Sequence, residues 1–141
     1  MPQQVSVFAE NKPGKIVKIT SALKEASINI QAITIADAGD YGIIKLLLDN
    51  AELGCEVLKK NGVPATLKEI VAVKMKDQVG GLHEIASQLT KNNINVQDAY
   101  GFILEKNKEA VFVFQVDEIS KAENILVNSG FEMLSNSSLY S

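Results

Sequence analysis

The sequence predicts an α+β fold: two copies of a small βαββαβ unit in tandem, side by side, each an antiparallel sheet with helices on one face. Three observations carry this reading. They are an internal repeat, a hydrophobic period that switches between strand and helix values, and glycine punctuation at matching places in both halves. Sliding the chain by 66 residues lays Val5-Ser6-Val7 on Val71-Ala72-Val73 and Gly14 on Gly80. The same shift lays Leu23 on Leu89 and Ile28-Asn29-Ile30-Gln31 on Ile94-Asn95-Val96-Gln97. Further on, a longer hairpin in the second copy raises the offset to 68, which matches Asp49 with Asp117, Leu58 with Leu126 and Gly62 with Gly130. This period is too long for solenoid repeats, so the reading is a duplicated domain at residues 1–68 and 69–135, with 136–141 as a C-terminal tail.

Val5, Val7 and Ala9 alternate with polar or mixed neighbours, the period of a half-buried strand. After Pro13-Gly14, Ile16, Ile19, Leu23 and Ala26 recur at helical spacing, as do Leu82, Ile85, Ala86 and Leu89 in the second copy. A second strand is expected from Ile28 to Ala36 and a third from Tyr41 to Leu48, turning through Asp37-Ala38-Gly39-Asp40. Their counterparts run from Ile94 to Leu104 and from Ala110 to Val116, turning at Lys106-Asn107-Lys108. Second helices span Ala51–Lys60 and Ile119–Asn128, each ended by a glycine, Gly62 or Gly130. The last strands fall near Val63–Leu67 and Phe131–Leu134. This order is the ferredoxin-like split βαβ, a four-stranded antiparallel sheet carrying two helices. No linker separates Leu67 from Val71 and each unit is too small for a generous core, so the halves are expected to pair. Strict alternation puts Ile33 and Ile35 on the face opposite Ile28, Ile30 and Ala32, while Phe112 and Phe114 oppose Val111 and Val113. Apolar residues on both faces predict a homodimer whose second copy covers the helix-free side, with Ile33, Ile35, Phe112 or Phe114 in or near the contact.

Composition narrows the function. Of 141 residues, 46% are hydrophobic, 22% charged and 6% aromatic, which suits a soluble globular protein and excludes collagen, coiled coil and wholesale disorder. Lys45 and Asp49 interrupt the greasiest stretch, so no membrane span is expected. The polar start Met-Pro-Gln-Gln lacks a signal peptide's build, and a lone cysteine suits a reducing compartment, so the expected location is cytoplasmic. All 14 cationic residues are lysines. A net charge of −3 without the arginine fork argues against a nucleic-acid partner. One histidine and one cysteine do not build a zinc site of the usual kind, and no nucleophile–base constellation stands out. No cofactor, metal or catalytic residue is expected.

The loop after each first strand says more. Asn11-Lys12-Pro13-Gly14-Lys15-Ile16, then an amphipathic helix, then Ser27-Ile28-Asn29-Ile30, resembles the signature of the ACT domain family. Asp77-Gln78-Val79-Gly80-Gly81-Leu82 followed by Asn93-Ile94-Asn95-Val96 is a looser second version, and together they cover nearly the whole chain. The resemblance implies a sensory protein. ACT domains are the regulatory units of phosphoglycerate dehydrogenase, aspartokinase and the small subunit of acetohydroxyacid synthase; they pair side by side and bind amino acids where two units meet. On that footing both loops, residues Asn11 to Ile16 and Asp77 to Leu82, are candidate ligand contacts. Asn11 and Asn29 match the two asparagines of serine-binding members, and Asn95 repeats Asn29. The histidine of those members falls at Ala9 and Met75, a departure that tells against serine. Gln31 and Gln97 fall where aspartokinase-type domains place a ligand-contacting glutamine.

Loop physics points the same way. A glycine opening a helix lets a ligand approach the free N–H groups of the first turn, which favour a carboxylate, and Asn11, Asp77 or the glutamines could accept from its ammonium. Plainer readings stand beside this one. Asn11 and Asp77 suit helix N-caps, Gly14 and Gly80 suit tight helix–strand packing, Asn29 and Asn95 follow turns, and Lys15 suits a solvated helix surface. His83 is expected on the surface and Cys55 in the core. Asp40 to Ile44 bears a faint likeness to an RNA-recognition strand but lacks its basic residue and stacking aromatics. The expected function is non-catalytic sensing of a free amino acid, relayed to a partner such as a metabolic enzyme. The alternative is a structural or regulatory subunit of an amino-acid-metabolism enzyme with no ligand of its own. An acylphosphatase-like hydrolase on this fold would need an arginine cradle that the chain lacks.

Overall fold

The computed structural model describes residues 2–105 and 108–135; Lys106 and Asn107 of the expected turn, and the tail 136–141, lie outside the described residues. The chain divides into two compact units, Gln3–Lys68 and Glu69 onward together with Pro2. In the first, β1 (Gln3–Glu10), α1 (Lys15–Glu25), β2 (Ile30–Ala38), β3 (Tyr41–Leu48), α2 (Ala51–Lys60) and β4 (Ala65–Glu69) follow one another. In the second, β5 (Val71–Lys76), α3 (Gly81–Lys91), β6 (Val96–Glu105), β7 (Glu109–Val116), α4 (Ile119–Asn128) and β8 (Glu132–Met133) repeat the order. The sheets run β2-β3-β1-β4 and β6-β7-β5-β8, so both units have the ferredoxin-like topology that the repeat predicts. Pro2 belongs to the second unit through its carbonyl, which accepts from Ile70 N–H at 3.0 Å.

Each unit has its own core. Val5, Val7, Ile44, Leu46 and Leu48 pack under Ile19, Leu23, Cys55 and Leu58 of the helices, burying Cys55 as expected. Val71, Val73, Phe114 and Val116 pack under Ile85, Leu89, Ala122 and Leu126. Leu82 is exposed although it lies only about 20° around the helix from Leu89; in this first turn of α3 the buried position is Gly81, and Ile85 and Leu89 continue the buried line.

All four helices end in the same hydrogen-bonded motif, with a left-handed residue after the cap. Gly62 and Gly130 fill that position in α2 and α4, whereas Ser27 and Asn93, both at φ 58°, fill it in α1 and α3. The following amide then reaches back five residues: Ile28 to Leu23, Val63 to Leu58, Ile94 to Leu89 and Phe131 to Leu126, at 2.9–3.0 Å. These closures delay the next strand. Ile28 is spent on ending α1, and Asn29 exchanges bonds with Asp49, so β2 starts at Ile30 and not at Ile28. Val63 ends α2 in the same way and Pro64 has no N–H to give, so β4 starts at Ala65.

The expected placement of apolar residues on the helix-free face is corrected by two features. A β-bulge between Ile30 and Ala32 inserts Gln31, so Ile33 and Ile35 pair with Leu46 and Ile44 and share the helix face with them. They are exposed because β2 is the edge strand. In the second unit Phe114 is 2% exposed and belongs to the helix-packed core, with Phe112 packed against it, while Val111 and Val113 take the opposite face.

Candidate functional site

Glu10 ends β1, and the next residue ties the loop down. Asn11 N–H donates to Asp40 O at 2.8 Å, bringing the loop against the β2–β3 turn. Its side-chain Nδ2 donates to Asp37 Oδ1 and to Gly39 O, each at 3.0 Å, and its Oδ1 accepts from Lys15 Nζ at 2.6 Å. Asp37 Oδ1 also accepts from Gly39 N–H at 2.9 Å, so one carboxylate and one amide hold the turn. The N-cap of α1 is Gly14, at φ 93° and with no side-chain cap, so the capping reading of Asn11 is overturned. An added Cβ at Gly14 would meet nothing within 4 Å. The glycine serves its positive φ there, not tight packing. Asn11, Lys12, Pro13, Gly14, Lys15 and Ile16 line one shallow cavity of about 390 Å³. Asn29, whose side chain is exposed, and Gln31 do not line it.

The second loop repeats the backbone with different chemistry. Asp77 N–H donates to Lys108 O at 3.1 Å, the counterpart of the Asn11–Asp40 bond. Gly80, at φ 82°, is the N-cap of α3, again in open space, so the N-cap position falls on it and not on Asp77. Tight packing falls instead to Gly81, where a Cβ would land on Met75 Cε and 3.0 Å from Lys76 O. Gln78 and Gly81 line a cavity of about 460 Å³, whereas Asp77, Val79, Gly80 and Leu82 do not. Val79 and Leu82 are exposed.

Both glutamines sit in β-bulges: Gln31 between Ile30 and Ala32, Gln97 between Val96 and Asp98. A bulge re-aims the side chain it inserts, and bulges gather at functional edges. Gln97 Oε1 accepts from Gln115 Nε2 at 3.4 Å. Asn95 is exposed. His83 is exposed as expected, with Ser87 Oγ 3.3 Å from its Nε2.

One cluster escaped the sequence reading. Lys74 Nζ lies 3.2 Å from Glu109 and 3.4 Å from Glu132. Its hydrogen bond to Glu109 and the two negative charges outweigh desolvation and raise its pKa above the ordinary 10.5. At the matching positions of the first unit stand Phe8, Tyr41 and Pro64; the two rings stack with centroids 4.7 Å apart. The signal was available, since laying the two copies together shows three positions where their chemistry differs. Among the described residues no cluster of His, Cys, Asp and Glu could hold a metal, and no helix is long and apolar enough to cross a membrane.

The sequence pattern of the ACT domain pair family matches residues 1–141. The chain belongs to that family. The ACT pair is a regulatory fold, and solved structures repeat it. Protein BT0572 from Bacteroides thetaiotaomicron is 25% identical, with a TM-score of 0.92 over 99% of this chain and 96% of that one. The regulatory subunit of aspartate kinase from Thermus thermophilus is 15% identical, with a TM-score of 0.66 over 92% and 93%. Its counterpart from Thermus flavus is also 15% identical, with a TM-score of 0.61 over 90% and 91%. The two Thermus likenesses concern the fold of this ACT domain pair alone. No protein of curated description matches its sequence.

Proposed function

We propose that this ACT domain pair is a non-catalytic regulatory protein that binds a free amino acid where two ACT units meet and passes its abundance to a partner enzyme. The observation that carries the reading is the pair of uncapped helix starts. In both units the helix opens on a left-handed glycine, Gly14 or Gly80, which brings no side-chain cap of its own to the first-turn amides. Such amides suit a carboxylate, and Lys15 adds a positive charge at the first of them. Gln31 and Gln97, aimed by their bulges, supply carbonyl acceptors for an ammonium. In this reading domains 1–68 and 69–135 pair side by side, so that each loop faces a bulged strand, and whole chains form a homodimer. A thermal shift series with the twenty amino acids, on protein freed of ligand, tests it. One amino acid should stabilise the chain by about 2.7 kcal/mol at 100 times its Kd.

A second reading has its own support: Asn11 spends its amide and its oxygen inside its own unit. A loop already satisfied suits a subunit that holds an amino-acid-metabolism enzyme and binds no ligand. Absence of a shift with all twenty would favour it.

A further inference from the structure

We propose that the first unit carries a second binding site, for a small anion bearing an aromatic ring. It lies in a cavity of about 320 Å³ where β1 runs past the start of β4, and Phe8 N–H makes a 3.2 Å bond to Pro64 O there. Two kinds of group wall it. Phe8 and Tyr41, diagonal neighbours on the helix-free face, stack at an interplanar angle of 15° yet stay 48% and 44% exposed. Opposite charge would meet Lys12, Lys15 and Lys18, against which the lining sets a single carboxylate, Glu10. Glu10 is matched to Lys12 at 3.0 Å, and Lys15 is turned to Asn11 Oδ1, which leaves Lys18 without an ion pair among the described residues. An exposed aromatic pair beside an excess of cations fits a flat ring with an acidic group; a bare anion or a neutral ring would use only half of it.

The second unit supplies an internal control. Its equivalent cavity, about 460 Å³, puts Lys74, Glu109 and Glu132 where the first has Phe8, Tyr41 and Pro64. There the central cation is held by its own glutamates and the stacked rings are gone. Either set closes the same place in the fold, so the rings and spare cation of the first unit answer to something other than folding.

The cavity shares Lys12 and Lys15 with the loop of the amino-acid reading, and probes that lack an ammonium separate the two. The test is titration of the ¹⁵N-labelled full chain with phenyl phosphate, benzoate and inorganic phosphate, read from amide shifts. Saturable shifts are expected at Ala9, Lys18 and Val63 with phenyl phosphate or benzoate at a Kd of about 1 mM or below, and the stronger of the two identifies phosphate or carboxylate as the acidic group. Inorganic phosphate should bind at least about tenfold more weakly, and Met75 and Phe131 should stay still. Lys18→Glu should weaken binding about tenfold, and Phe8→Ala should abolish the preference for the ring, with Tyr41→Ala as the second ring variant. Equal binding of inorganic and phenyl phosphate would mean an adventitious ion only and overturn the site. So would a lack of saturation up to about 10 mM, equal shifts in the second unit, or indifference to all three substitutions.

Discussion

At Ser27 and Asn93 the chain turns left-handed on side chains, where the other two helices use glycine. A left-handed L-residue costs about 1 kcal/mol or more, and asparagine bears it better than serine. Ser27→Gly should therefore raise stability by about 0.5–1 kcal/mol after the extra entropy of glycine is counted, and Asn93→Gly by less, as read from urea midpoints. Lys74 gives a pH signature. Its proton is held more tightly in the folded chain than in the unfolded one, so its contribution is complete below the ordinary value of 10.5 and fades as pH rises through the higher folded value. Lys74→Met should remove that alkaline loss, checked by denaturation midpoints across the alkaline range. Neither residue stood out in the sequence. Ser27 carries no glycine to mark its turn, and Lys74 looks like any polar residue on a strand until its cross-strand partners are known.

Elements were more legible than their phase. The helices appear where apolar spacing and terminal glycines put them, because both signals are local. The bulge at Gln31 was missed through trusting strict alternation, although the sequence holds its trace: apolar residues step from Ile28 and Ile30 to Ile33 and Ile35, a slip of one position. Deleting Gln31 should close the bulge and leave Ile33 and Ile35 opposite Leu46 and Ile44, because Ile30 and Ala32 already pair with the successive residues Leu48 and Leu47. The expected change is within about 1 kcal/mol, with a sharp transition, in chemical denaturation; a larger loss would contradict this. The second helix of the first unit is constrained more tightly. A Cβ on Gly54 would fall on Leu48 Cδ1, with Leu23 and Ile28 within 3.8 Å. All three neighbours lie in the core, so Gly54→Ala should destabilise by about 1 kcal/mol despite alanine's better helix propensity, again by denaturant midpoint.

Over the whole molecule the duplication was plain, because a repeat is read by comparing the sequence with itself and needs no knowledge of packing. The site was legible only in outline. The first loop gathers its six expected residues around one cavity, but the internal bonds of Asn11 follow from a turn 26 residues away. If both loops take an amino acid, they should do so unequally, since Lys15 assists a carboxylate at the first and Asp77 opposes it at the second. A difference of about 1 kcal/mol separates affinities about fivefold. Calorimetry should resolve two classes of site, with Asn11→Ala weakening the first and Asp77→Ala strengthening only the second; two identical sites hit equally by both would contradict this. The bulge also dates events. Both units insert a glutamine at the same register, open a helix on a left-handed glycine and close one on a left-handed polar residue. A single ancestral unit that already carried these devices accounts for both copies. The exchange of Phe8, Tyr41 and Pro64 for Lys74, Glu109 and Glu132 is then younger than the doubling, the record of two siblings that kept one skeleton and took up different work.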